Sequence, residues 1–365
     1  MADRRPERLE ALRSRLRAGQ LDGLLISSLP NIRYLTGFSG TSAVVVVTQG
    51  AAFLLSDFRY RAQAAQEVGD VARVLIEDGG VWERLFRLVG EQPGLGAIGY
   101  EAHVLTASGA QQLADGAANG RPWRFQATTD IVETLRTVKS REEIDAIRAA
   151  GAVATRALEH AMARVRTGQT ENEIAALLEG ALRTLGSEGY PFPTIIASGP
   201  RAALPHARTS GRVVGPGDYL LVDFGAVVDG YCSDVTRTFV VGTCDARQRE
   251  VHDAVREAQA AALAGLRAGL TGRQGDALAR DVLAARGLGD AFGHSLGHGV
   301  GLEVHEAPRL ARTVDDVLPA GAVVTVEPGV YLEGWGGVRI EDDVVLEAAG
   351  AVVLTEFPRE LITLS

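Results

Sequence analysis

LLVDFGAVVDGYCSDVTRTFVV, residues 220–241, reads as two apolar strands joined at Asp229-Gly230. That dipeptide suits a two-residue type I′ turn, which needs φ > 0 at both central positions. With this turn Val228 faces Tyr231, Asp223 lies opposite Thr236, and Gly225 lies opposite Asp234. Cross-strand partners share a face, as do residues two apart along a strand. Asp223, Asp234 and Thr236 are therefore expected on one side of the ribbon. Two carboxylates that close, between strands rich in Val, Leu and Phe, repel each other and resist desolvation. A shared proton or a bound cation relieves the conflict; a ribbon face left in solvent, with two incidental aspartates, is the plain alternative.

Around this ribbon the chain is 365 residues long, room for two ordinary domains or one large domain with an appendage. Hydrophobic residues make up 46% and charged residues 23%, the balance of a globular protein. No apolar run approaches the ~20 residues of a membrane span. The N-terminal stretch MADRRPERLEALRSRLRAGQ is charged and lacks an apolar signal core, which points to the cytoplasm. A formal net charge of −9 disfavours nucleic acid as a partner, because phosphate binding wants a basic surface. Part of that negative balance fits carboxylates gathered around a metal. The two cysteines, Cys232 and Cys244, make neither a disulfide framework nor a zinc spacing. Cys232 shares the face of Asp234 in an unbulged hairpin and is read as a small packed side chain rather than a catalytic thiol.

Upstream, Leu9, Leu12, Leu16 and Leu21 recur at near-helical spacing. Strand-like runs follow at LDGLLIS, SAVVVVT, AAFLLSD, ARVLIE and AIGYE, with helical patterns RYRAQAAQEV, VWERLFRLVG and SGAQQLADGA between the later ones. This alternation predicts an α/β domain over residues 1–130. No glycine-rich phosphate loop joins a strand to a helix there, so dinucleotide binding has no support. A linker is expected over 131–140 and a catalytic domain over 141–365. Ser140 and Glu143 form a capping box for a long helix that Gly168 would stop; Thr170 and Glu173 open another reaching about Leu185. From Tyr190 onward short β runs dominate, interrupted by helices near 245–268 and 274–286, which predicts an α+β domain.

A metal at the hairpin requires further ligands, and three places supply them. GHSLGHGVGLEVHE, residues 293–306, holds His294, His298 and His305 among glycines that let backbone approach a ligand closely. TVEPGV ends a strand of alternating apolar residues with Glu327. In VRIEDDVV, Arg339 and Glu341 are two apart and are expected to point the same way from one strand.

The ordered set of Asp223 in VDFG, Asp234 in SDVTRT, His298 in GHGVGLEVHE, Glu327 in VEPG and Glu341 in RIED resembles the pita-bread metallopeptidase family of Xaa-Pro aminopeptidases, prolidases and methionine aminopeptidases. NIRYLTGFSG, SDFRY and KSREEIDAIR resemble the N-terminal domain and linker of the Xaa-Pro branch, and SGPRAALPHA resembles its segment before the first ligand strand. The resemblance implies an α+β pita-bread (creatinase/aminopeptidase) catalytic domain behind a smaller α/β creatinase-like N-terminal domain. It implies two divalent ions, Mn²⁺ first with Co²⁺ or Zn²⁺ as alternatives. Asp223, bidentate on one ion, and Glu341 would bridge them; Asp234 would ligate one ion, and His298 with Glu327 the other. A hydroxide shared by such a pair would attack the peptide carbonyl, and Glu327 would carry the proton to the leaving amine. Thr236 would hydrogen-bond near that solvent.

Outside the ligands, the resemblance implies His206 and His305 as catalytic donors to the scissile carbonyl. His294 and Arg309 would bind substrate, Arg309 through a dipeptide carboxylate, and Tyr231 would line the pocket or cap the turn. Arg339 is expected to pair with a ligand carboxylate. The implied activity is release of an N-terminal residue from peptides with proline in second position, by a homodimer. A prolidase restricted to Xaa-Pro dipeptides is the alternative, as is an aminopeptidase with relaxed proline preference. Metal-free creatinase-like hydrolases and non-enzymatic domains share the fold; both predict replaced ligands, and here all five positions carry ligating residues.

Overall fold

The computed structural model describes residues 3–77, 80–92, 94–118 and 121–365. Its internal contacts divide the chain into two compact units, Met1–Arg136 and Thr137–Ser365. In the first, a six-stranded mixed sheet runs in the order Arg73–Ile76, Ala52–Ser56, Val44–Thr48, Gly23–Ile26, Ala97–Glu101, Arg124–Thr128. The three central strands pair antiparallel and the outer ones join in parallel. Five of the six are the apolar runs read from the sequence. The sixth, Arg124–Thr128, is a partly exposed edge strand without an apolar run to mark it. Helix Arg5–Ala18 buries Leu9, Leu12 and Leu16, while Leu21 lies beyond its end at Gly19.

The second unit opens with helix Arg141–Met162, closed at its N-terminus by the Ser140/Glu143 capping box, and helix Glu171–Thr184, closed by Thr170/Glu173. The first of these stops at Met162 rather than at Gly168. Val165 turns inward and is fully buried, and Gly168, at φ +94°, redirects the chain toward Thr170. Helices Ala246–Gly265 and Gly272–Ala285 follow the hairpin. One sheet has the order Thr363–Leu364, Val235–Val241, Tyr219–Phe224, Ile195–Ser198; the other has Glu306–Leu310, Gly297–Gly299, Val323–Val326, Asp342–Leu346, Ala351–Val353. Gly329–Leu332 and Gly336–Arg339 form a separate antiparallel ribbon. No described helix is long and apolar enough to cross a membrane.

Hairpin register places the site. Asp229 and Gly230 have φ of +49° and +76°, the pair of positive angles a type I′ turn requires. Val228 pairs with Tyr231 and Thr236 with Asp223. Between these pairs the ribbon pinches: a Cβ on Gly225 would stand 1.9 Å from the Ser233 carbonyl oxygen, so this crossing requires glycine. Along Tyr219–Phe224 the side chains alternate between two cores. Leu220, Val222 and Phe224 pack with Leu158, Ile174 and Leu178 of the first two helices. Tyr219 and Leu221 pack with Val326, Ile340 and Val344 and the later helices. Asp223 belongs to the face of Tyr219 and Leu221, and so points toward the side from which the remaining candidate ligands come.

Candidate metal centre

Each candidate ligand stands at or beside the end of a strand. Asp223 is in Tyr219–Phe224, Asp234 directly precedes Val235–Val241, and His298 is in Gly297–Gly299. Glu327 directly follows Val323–Val326, and Glu341 lies between Gly336–Arg339 and Asp342–Leu346. The single strand expected to carry both Arg339 and Glu341 is thus broken at Ile340-Glu341, where Glu341 N–H donates to the Thr236 carbonyl. Asp234, His298 and Glu341 offer ligand atoms that all lie within 4.8 Å of one another. His298 Nε2 is 3.4 Å from Glu327 Oε1 and 3.8 Å from Asp234 Oδ2. Thr236 Oγ1 donates to Glu341 Oε2 at 2.5 Å and accepts from Arg339 Nε at 3.1 Å. Arg339 in turn pairs with Asp223 Oδ2 at 2.5 Å.

The tautomer of His298 follows from its neighbours. Nδ1 is 3.1 Å from the Gly299 carbonyl oxygen, which only accepts, so Nδ1 carries the proton and Nε2 keeps a lone pair aimed at the carboxylates. Burial holds its pKa down, to about 4, and the ring is neutral near pH 7. The carboxylates are crowded. Burial first, then the charge of the neighbouring acids, pushes Asp234 and Glu341 well above the usual carboxylate range; burial raises Glu327 to about 8. Asp223 Oδ1 and Asp234 Oδ1 are buried with no hydrogen-bond partner among the described residues. Orphaned hard oxygens, mutual repulsion and one imidazole with a free lone pair fit divalent cations of the Mn²⁺, Co²⁺ and Zn²⁺ kind. Asp234 lies beside His298, and Asp223 has one oxygen engaged by Arg339, the pairing of arginine with a ligand carboxylate expected from the sequence.

A consequence is measurable on the metal-free protein. For an acid whose folded pKa is raised, the folded state holds more protons than the unfolded one, so stability falls as pH rises from the unfolded value toward the folded value. Between about pH 4.5 and pH 8 the metal-free protein is expected to lose thermal stability through Glu327, and added Mn²⁺ to restore it. Thermal unfolding of wild type and Glu327→Gln with chelator checks this. A pH slope equally steep in the variant would contradict it.

Around the carboxylates, His294 donates from Nδ1 to the Ser295 carbonyl at 2.8 Å, leaving Nε2 to accept from the Tyr331 hydroxyl at 3.0 Å. Tyr331 accepts from Arg339 Nη1 at 2.6 Å. Arg339 thus links His294 to Asp223 through Tyr331, and both nitrogens of His294 are engaged. His305 is exposed beside the candidate metal centre, its ring edge-on to His298 with centroids 4.4 Å apart. Desolvation lowers its pKa, while the charge of Asp223 opposes this and His206 and Arg309 reinforce it. Arg309 is exposed on strand Glu306–Leu310, paired in register with His298. His206 is exposed on the loop after Ala203.

Tyr231 does not join this group. It is buried with Ile147, Cys232 and Val300, and its hydroxyl donates to Glu143 at 3.0 Å, behind the hairpin rather than in the site. Cys232 packs in the same cluster. Two elements of the site were not anticipated. Tyr331 is one; its signal is a polar-tipped aromatic in an otherwise apolar GVYL strand. The other is Arg237, almost fully buried, which donates to the carbonyls of Thr236 and Glu341 and pairs with Asp342 at 2.7 Å. An arginine inside the apolar run VTRTFVV requires a buried acid, and the acidic pair after Glu341 was its sequence counterpart.

Comparison with known proteins extends this picture. Residues 145–348 match metallopeptidase family M24, and residues 8–138 match the creatinase/prolidase N-terminal domain. The solved structure of an Xaa-Pro dipeptidase from Bacillus anthracis is 40% identical, with a TM-score of 0.94 and coverage of 98% of this chain and 99% of that one. An X-Pro aminopeptidase from Thermotoga maritima is 38% identical, with a TM-score of 0.90 and the same coverage. The Xaa-Pro dipeptidase of Pyrococcus furiosus is 35% identical over 358 residues, 98% of this chain and 99% of its own.

Proposed function

The chain belongs to metallopeptidase family M24, behind a creatinase/prolidase N-terminal domain, and from that premise we propose that it is an Xaa-Pro dipeptidase working with two divalent cations. The observation that carries the proposal is full-length similarity to proteins named Xaa-Pro dipeptidase, combined with an exposed arginine beside the metal centre. The aminopeptidase expected first from the sequence becomes the second reading, favoured by the likeness to the Thermotoga maritima structure. Mn²⁺ as the native ion, a cytoplasmic location and a homodimer belong to the same proposal.

Asp234, His298 and Glu341, whose ligand atoms lie within 4.8 Å of one another, would hold the cations together with Asp223 and Glu327. When bound, the cations supply Lewis acidity at the scissile carbonyl and lower the pKa of water. The remaining work falls to side chains. Glu327, at the end of its strand beside His298, can take a proton from the attacking water and deliver it to the leaving imino nitrogen. His305 and His206 donate to oxygens on which charge grows during the reaction. Thr236 fixes the orientation of Glu341, and Arg339 fixes that of Asp223. The Xaa-Pro bond has no N–H to recognise, so orientation falls to the carbonyls and the chain ends of the substrate. Arg309 would pair with the carboxylate of a dipeptide.

The test is a comparison of an Xaa-Pro dipeptide, an Xaa-Pro-Yaa tripeptide and a non-proline dipeptide, each in Mn²⁺, Co²⁺ and Zn²⁺. Selective cleavage of the first is expected; faster cleavage of the tripeptide would establish the aminopeptidase. In Arg309→Ala the KM for the dipeptide should rise roughly tenfold or more, the scale of one charge-assisted hydrogen bond. An unchanged KM would remove Arg309 from the substrate site.

A further inference from the structure

Glu171 is a fully buried carboxylate far in sequence from the candidate ligands, and every side-chain bond it makes reaches one loop. Its Oε1 accepts from Ser198 N–H at 2.8 Å and from Ser198 Oγ at 2.8 Å. Its Oε2 accepts from Ser210 N–H at 3.1 Å and from Ser210 Oγ at 2.6 Å. Arg201 Nε spans both oxygens, at 3.3 and 3.2 Å, and the same guanidinium donates to the Arg208 carbonyl. Ser198 and Ser210 are the two ends of the segment that carries His206. Helix capping does not explain the arrangement, because Thr170 and Glu173 already close the N-terminus of helix Glu171–Thr184. Position in the first turn still favours the negative charge, and the surrounding donors satisfy its lone pairs.

We propose that Glu171 is a positioning residue for His206: it draws Ser198 and Ser210 together, closes the neck of the loop between them, and thereby fixes where His206 stands. The loop is tied at a second point, where Arg339 Nη1 donates to the Pro205 carbonyl at 3.4 Å. The same arginine pairs with Asp223, so the residue next to His206 is referenced to the metal centre. With the neck open, the chain between the serines gains conformational freedom. It is then held by the Pro205 contact, by Thr209 Oγ1 donating to the Thr194 carbonyl at 2.8 Å and by backbone bonds at its end such as Asn172 N–H to the Ser210 carbonyl. Loss of the clamp should therefore resemble loss of His206 itself. This inference rests on the reading of His206 as a donor to substrate.

The experiment is a double-mutant cycle on the metal-loaded protein, with Glu171→Gln, His206→Ala and the double variant, followed by kcat and KM for an Xaa-Pro dipeptide, bound metal and thermal midpoint. Ser210→Ala, which removes one donor and leaves the carboxylate otherwise satisfied, serves if Glu171→Gln folds poorly. Glu171→Gln is expected to lower kcat roughly tenfold with metal content unchanged. In the His206→Ala background it should cost less than about twofold, because coupled residues are not additive. Losses that multiply would overturn the clamp while leaving His206 in its role. Full turnover in His206→Ala would instead remove the reading of His206, and the inference with it.

Discussion

Glu341→Ala should lose bound metal and peptidase activity together. Its carboxylate offers a ligand atom within 4.8 Å of those from Asp234 and His298. Removing a group that supports a ligand from outside typically weakens metal binding by about 10–100-fold; removing a ligand itself should exceed that. The metal-free protein should respond in the opposite sense. Glu341 is buried, and its acidity is suppressed by burial and by the charges of Glu327 and Asp223. Deleting it relieves repulsion among buried acids whose nearby cation is Arg339, so the metal-free variant should unfold at a higher temperature than metal-free wild type at neutral pH. Thermal unfolding with and without Mn²⁺ therefore gives a crossing pattern. A variant that keeps its metal-dependent stabilisation would refute the assignment.

His305→Ala separates catalysis from metal binding. The ring lies edge-on to His298 at a centroid distance of 4.4 Å and the residue is exposed, so it borders the carboxylate cluster from the solvent side. Partial desolvation lowers its pKa, which favours a neutral ring able to donate one N–H. Loss of a donor to a developing oxyanion costs about 10²–10³-fold in turnover. Metal content should stay at the wild-type level while kcat for an Xaa-Pro dipeptide falls by roughly 100-fold. Undiminished turnover would make His305 a packing partner of His298. Reduced metal content would mark it as a support for the ligand shell.

Much of the site could be read from local periodicity. Asp229-Gly230 set the turn, the turn set the register, and the register put Thr236 opposite Asp223 before any long-range contact was considered. The face of each ligand follows from the two-residue period of a strand. What periodicity does not encode is the partner across space. Tyr231 reads as lining the pocket or capping the turn, and its hydroxyl instead donates to Glu143, on a helix distant in sequence. Asp234 groups with His298 because two strands from different sheets meet there, and spacing along the chain carries no trace of that meeting. Ile340-Glu341 interrupts what reads as one strand, since Arg339 and Asp342 belong to separate pairings. Arg237 shows the converse. A charge inside an apolar run announces a buried partner without saying which acid supplies it, and Asp342 proves to be that acid.

The central claim is a metallopeptidase whose carboxylate cluster takes up two cations and acts on Xaa-Pro dipeptides. Its most direct test is a titration of chelator-stripped protein with Mn²⁺, reading bound metal and dipeptide hydrolysis on the same samples. Activity is expected to be absent without metal and to level off as the second equivalent binds. Full-rate hydrolysis by the stripped protein, or no hydrolysis once Mn²⁺ or Co²⁺ has bound, would contradict the account.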